Sequence, residues 1–88
     1  MNKVSNMTST NWNKIANQFI IYWDDMIAYQ SYNSTIAIKH NDWMVELDIV
    51  YRDYSQTTGK YRNIFLQENK KETQSKINDW IYILKNLN

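Results

Sequence analysis

The chain has no cysteine, no proline and one glycine, Gly59, and its longest apolar run, Phe19 to Trp23, is five residues long. Without cysteine there is no disulfide framework, no thiolate metal site and no thiol nucleophile. A single glycine rules out the phosphate-cradling loops and the nucleophile elbow, each of which needs at least two. The apolar run is far short of the roughly 20 residues that span a bilayer. Residues 1–10 hold one lysine and no apolar stretch of signal-peptide length, so a cytoplasmic, membrane-free protein is expected. Charge of one sign is also lacking. Ten Lys and Arg against nine Asp and Glu leave a formal +1, too little for a global field that gathers phosphates or anionic lipid.

What is present suits one folded unit. Eighty-eight residues make room for a single core, and 43% hydrophobic types against 22% charged is a globular balance. The reading is therefore one domain over 1–88, with residues 1–9 as a flexible lead. Phe, Tyr, Met, Ile, Asn and Lys make up about half the chain, a bias typical of AT-rich coding sequence. Small reading frames of low-GC bacteria, their phages and their plasmids have that bias.

Periodicity divides the chain into helical and extended stretches. Trp12, Ile15, Ala16, Phe19, Ile20, Trp23, Met26 and Ile27 recur at steps of three or four, which predicts a helix near 10–30 capped by Ser9, Thr10 or Asn11. Alternation about Ile36 and Ile38, and about Trp43, Val45, Leu47, Ile49 and Tyr51, predicts strands near 34–40 and 43–54 with a turn at Asn41 and Asp42. Ser55 to Gly59 reads as a second hairpin loop and 60–67 as a third strand. Asn69 with Glu72 forms a capping-box pattern that opens a helix near 69–86, with an ion-pair spacing from Glu72 to Lys76. The fold class that follows is α+β: helix, three-stranded antiparallel meander, helix (α-β-β-β-α), with both helices on one sheet face. The expected core is Ile15, Phe19, Trp23, Ile38, Val45, Leu47, Ile49, Ile77, Ile81 and Leu84. The tryptophans Trp12, Trp23, Trp43 and Trp80 are assigned to buried faces.

Catalytic chemistry finds little support. His40, the one histidine, and Asp42 fall short of the three or four ligands of a catalytic metal, and adjacent Asp24 and Asp25 on a helix would point about 100° apart. Ser and Thr fall at caps and turns with no base and orienting group beside them. No enzyme, cofactor or metal is expected.

Two binding surfaces stand out instead. The helix-free sheet face should carry Arg52, Tyr54, Tyr61 and Phe65 as anchors, with Glu46 and Asp48 setting orientation, a composition typical of protein interfaces. That makes the chain a small inhibitor or adaptor from a mobile element, docking on another protein or a protein–nucleic acid complex, for example as an antagonist of a host defence system. A free sheet edge equally offers pairing with a second copy. The other surface is Lys70, Lys71 and Lys76 on the last helix. The element order, with His40 shortly before Trp43, Val45 and Leu47 and with Lys70 and Lys71 opening that helix, resembles a double-stranded-RNA-binding domain. The resemblance implies an RNA- or DNA-binding domain whose lysines contact phosphates.

Overall fold

A computed structural model describes residues 3–8 and 13–88. Eight elements follow one another: β1 (Lys3–Thr8), β2 (Lys14–Tyr22), β3 (Met26–Ser31), β4 (Ser34–His40), β5 (Val45–Asp48), α1 (Gln56–Leu66), α2 (Lys70–Asn78) and β6 (Tyr82–Lys85). The strands form one sheet in the order β1-β2-β3-β4-β5-β6, antiparallel throughout except that β6 lies parallel to β5. The expected α-β-β-β-α order is thus wrong, although the class remains α+β. The double-stranded-RNA-binding element order falls with it.

Three segments account for the difference. Over the expected first helix the chain forms strands β2 and β3, joined by a turn at Trp23 to Asp25; the proposed caps Ser9, Thr10 and Asn11 lie outside the described residues. Asn17 has φ 64°, and the β1–β2 register slips there by three residues, so the two-residue alternation that marks a strand is broken. Within the lead, Lys3–Thr8 forms strand β1 and pairs along β2. The expected third strand at 60–67 is helix α1, and the supposed loop Ser55 to Gly59 is its start: Ser55 caps it, its hydroxyl accepting from the Thr58 N–H at 3.1 Å. α1 buries Thr58, Arg62, Phe65 and Leu66, a helical spacing half of which is polar.

The capping box at Asn69 and Glu72 opens α2 as its spacing predicts, but the helix ends at Asn78 instead of near 86. Lys76 pairs not with Glu72 but with Glu68, at 2.6 Å. Burial alone would raise the Glu68 pKa; the Lys76 ammonium and the Tyr82 and Thr73 hydroxyls outweigh it and hold the carboxyl below its ordinary value.

Register assigns the two faces. The row Ser5–Ile20–Tyr29–Ala37–Leu47–Leu84 lies under the helices, with the Tyr29 ring 5.9 Å from that of Phe65. Ile77 of α2 packs on the same core, and Lys76 lies 5.2 Å from the Tyr82 ring, so both helices cover one face. Tyr29, Ala37, Leu47, Phe65 and Leu66 are among the buried core. A polar seam locks α1 onto it: Tyr29 Oη donates to Gln18 Oε1 at 2.5 Å, and the Ser31 and Thr58 hydroxyls meet at 3.0 Å. Burial pushes the Tyr29 phenol up to about 12. Of the expected core, Val45 and Leu47 are buried, and Ile15, Ile77 and Leu84 pack against it. Ile49 and Ile81 are exposed, and Phe19 and Ile38 fall on the opposite face.

Two substitutions test this packing. Leu47→Ala, at a fully buried position, should lower unfolding free energy by about 2–5 kcal/mol. Gly59→Ala should raise it by up to about 1 kcal/mol, because Gly59 is inside a helix and an added Cβ would meet only Asp53 Oδ1 at 3.8 Å. Chemical denaturation reads both; destabilisation by Gly59→Ala would return this segment to a loop.

Candidate docking site at the tryptophan rim

At one end of the sheet the row Lys3–Tyr22–Ile27–Lys39–Val45–Tyr82 is the last to cross all six strands, with Met26↔His40 paired beyond it. Beyond it lie three turns, 23–25, 41–44 and 79–81, and each carries a tryptophan: Trp23, Trp43 and Trp80. Two of these turns are tied together by Asn41 N–H donating to the Asp25 carbonyl at 3.0 Å. The parallel register Val45↔Tyr82 then sets the third beside them. Trp43 and Trp80 each stand two residues before that pair, so they leave the same end of neighbouring strands.

Both side chains are held out in water. Trp43 is 93% exposed and Trp80 87%. Both have positive φ, 72° and 60°, where a residue with a Cβ costs about 1–2 kcal/mol. Trp43 sits in a turn closed by His40 N–H to the Met44 carbonyl at 2.8 Å, while the Asp42 carboxylate accepts from Met44 N–H. Trp80 follows the C-terminus of α2. Its N–H donates to Ile77 at 3.1 Å and that of Ile81 to Lys76 at 2.9 Å, the hydrogen-bond pattern in which glycine usually takes Trp80's place. Each ring is thus presented by backbone geometry rather than by packing.

A cleft of about 400 Å³ opens between the first two turns, floored by Ile27 and Val45 and walled by Tyr22, Trp23 and Trp43. Asp24, Asp25, Asp42 and Asp79 stand exposed around the rim, with Lys3 opposite Tyr22 as a cation. Lys39 also lines the cleft, its ammonium 4.4 Å from the Phe65 ring centroid, and Lys76 is on Glu68. Desolvation lowers the Lys39 pKa.

The residues read from sequence as a partner surface do not share a face. Phe65 is 6% exposed in the core, and Tyr61 packs against that core from α1. Tyr54 is exposed in the loop before α1, its ring 5.8 Å from that of Tyr51. Arg52 donates to the Ile49 carbonyl in the same loop, and its own carbonyl accepts from buried Arg62. Glu46 and Asp48 lie on the helix-free face, where Glu46 binds His40 at 2.5 Å and Lys85 at 3.4 Å.

Asp48 is buried and works as a clip. Its carboxylate accepts from the N–H groups of Val50, Tyr51 and Leu87 and from the Asn88 amide, tying the C-terminus to the β5–α1 loop. Burial alone would raise its pKa, and these four donors hold it below the ordinary value.

The lysines are likewise dispersed in role. Lys76 is in the Glu68 pair, Lys70 lies 3.7 Å from Asp53, and Lys71 is exposed. His40 and Asp42 do not converge, since His40 is on Glu46, and among the described residues no three His, Asp or Glu group as a metal site. None of the described helices is long and apolar enough to cross a membrane.

Periodicity placed the tryptophans on buried faces. Trp12 lies outside the described residues, and Trp43 and Trp80 are the reverse of buried. The available signal was their position, each directly after a turn- or cap-forming Asp, Asp42 and Asp79.

Trp80→Gly should raise unfolding free energy by about 1 kcal/mol, since it relieves the left-handed backbone and removes a ring that is 87% exposed. Thermal and denaturant unfolding read the change. A loss of 1 kcal/mol or more would mean that the indole packs against the protein after all.

The family model for a family of unknown function, DUF8033, matches residues 2–80, and the chain belongs to that family. No curated protein and no solved structure matches it.

Proposed function

We propose that the chain is a small non-enzymatic binding protein that docks on another protein through the tryptophan rim. The observation that carries this reading is the pair Trp43 and Trp80, both almost fully exposed and both in a backbone conformation that side chains avoid. A strained residue retained where glycine would be easier is a pointer to use rather than to stability. Tryptophan is also the side chain that contributes most often to interface hot spots.

The rim's charge specifies the partner. Four aspartates surround the rings, so the matching surface is apolar at its centre and flanked by lysine or arginine. The cleft beside Trp43 has the size to accept one projecting side chain. An acidic rim repels phosphate, which separates this reading from nucleic-acid binding through Lys70, Lys71 and Lys76. The compositional bias supports a mobile-element setting, in which such a protein acts as an inhibitor or adaptor, for example against a host defence system.

The double variant Trp43→Gly, Trp80→Gly tests the reading because it should fold at least as well as the parent. Affinity capture from host cells, with the parent and the variant compared at two salt concentrations, should yield a basic partner protein. The parent should retain it, more weakly at high salt, and the variant should lose at least tenfold in affinity. Equal capture by both would overturn the rim as the docking site. Sub-micromolar binding to duplex RNA or DNA, abolished by Lys70→Ala with Lys71→Ala, would favour the nucleic-acid alternative.

A further inference from the structure

A second cleft, of about 490 Å³, opens along α1 and shares no lining residue with the cleft at the rim. Gly59, Lys60 and Asn63 line it from one stripe of the helix, joined by Asp53, Arg62 and the first residue of α2, Lys70. Three cations, Lys60, Arg62 and Lys70, stand there against one carboxylate, Asp53, so the lining carries a formal +2 where the whole chain carries +1. Arg62 is 2% exposed and held in place. Its guanidinium donates to Asp53, to the Arg52 carbonyl and to the Asn63 side-chain oxygen, and its Nε–H has no partner among the described residues. The two ammoniums are far less engaged. Among the described residues Lys60 has only the Tyr61 ring, 5.4 Å from its ammonium, and Lys70, 70% exposed, reaches Asp53 at 3.7 Å.

Gly59 is an independent observation at the same place. It is the chain's one glycine, and it stands inside a helix, where glycine is the poorest residue after proline. It has no positive φ, and a Cβ there would meet only Asp53 Oδ1, at the ordinary contact distance of 3.8 Å. Neither backbone conformation nor packing therefore calls for glycine. What its missing side chain supplies is room: a bare stretch of helix backbone in the cleft wall, which a ligand can approach closely.

We propose that this cleft binds a phosphate monoester, held as a dianion by Lys60 and Lys70. Two negative charges match the +2 of the lining. The Asn63 amide nitrogen adds a donor, since its side-chain oxygen is already turned to Arg62. Asp53 opposes the ligand's charge, but its Oδ1 is bound by Arg62. Binding then asks only that Lys70 exchange a 3.7 Å contact with Oδ2 for a charged phosphate oxygen. Nucleic acid is a poorer match, because its phosphates are diesters with one charge each. The site is separate from the tryptophan rim and goes beyond the docking function proposed above.

Titration of the isotope-labelled protein with methyl phosphate at constant ionic strength, followed by backbone amide shifts, decides the matter. Saturable shifts should centre on Gly59, Lys60, Asn63 and Lys70, with a dissociation constant below about 1 mM. Lys60→Ala with Lys70→Ala should weaken binding at least tenfold and leave the fold intact, because both side chains are exposed. Gly59→Ala should weaken it at least threefold while the melting temperature holds or rises, a separation that a merely structural glycine would not show. If Gly59→Ala melts lower than the parent, the lysine pair alone decides. Trp43→Gly with Trp80→Gly should bind methyl phosphate as the parent does. No saturation below about 10 mM would overturn the proposal, as would parental affinity in the lysine variant or in a stably folded Gly59→Ala. Duplex RNA that binds more tightly than methyl phosphate, and is lost in Lys70→Ala with Lys71→Ala, would assign the lysines to nucleic acid and also contradict it.

Discussion

The parallel pairing of β5 with β6 is the constraint from which the rest of the architecture follows. Strands that run in the same direction cannot be joined by a tight turn, so the chain between Asp48 and Tyr82 must travel back along the sheet. It does so as α1 and α2, and because it crosses on one face, that face gains the core and the other stays open. Asp48 secures the far end of the arrangement. It gathers amides from the β5–α1 loop and from Leu87 and Asn88, so the start of the crossover and the tail after β6 are held by one carboxylate. At the near end the same register brings the turn before β5 beside the turn before β6. The tryptophan rim is a consequence of topology as much as of composition.

Two surfaces result, and their chemistry differs. The rim combines exposed rings with four aspartates, which favours a basic protein. The outer face sets an aliphatic row beside Glu46, Asp48, His40 and Lys85. Either surface alone would leave apolar area in water at about 25 cal/mol per Å². The helices contribute in a different currency: α1 is held to the sheet partly by polar groups, with Tyr29, Gln18, Ser31 and Thr58 in one seam and Arg62 bound to Asp53 and the Arg52 carbonyl. Such a seam fixes where the helix sits.

How far this was legible in the sequence differs from element to element, for physical reasons. The β4 strand and the capping box of α2 announce themselves because both depend on local patterns, alternation about Ile36 and Ile38 and the spacing of Asn69 and Glu72. The β2–β3 hairpin is hidden. Phe19, Ile20, Ile21 and Tyr22 are apolar on both faces, so alternation disappears, and the break at Asn17 lets the remaining apolar positions fall at helical steps. Helix α1 is hidden for the opposite reason, since Thr58 and Arg62 occupy half of its buried stripe and leave Tyr61, Asn63 and Phe65 looking like a strand. The end of α2 was invisible because Trp80, Ile81 and Leu84 continue a helical spacing after the chain has turned. The candidate site was lost with these elements: Glu46 and Asp48 were placed on their correct face, but Phe65 and Tyr61 were not, and the rim appears only once β6 is known to exist.

The central claim is that β6 joins β5 in parallel and thereby sets Trp43 and Trp80 at one end of the sheet. Nuclear Overhauser contacts between the two strands in the isotope-labelled protein test it most directly. Parallel register predicts backbone contacts linking Val45 with Tyr82, Glu46 with Ile83 and Leu47 with Leu84. Contacts linking Val45 with Lys85 and Asp48 with Tyr82 would reverse the strand, and helical contacts from Asn78 through Leu84 would abolish it. In either case the two tryptophans would part, and the docking rim with them.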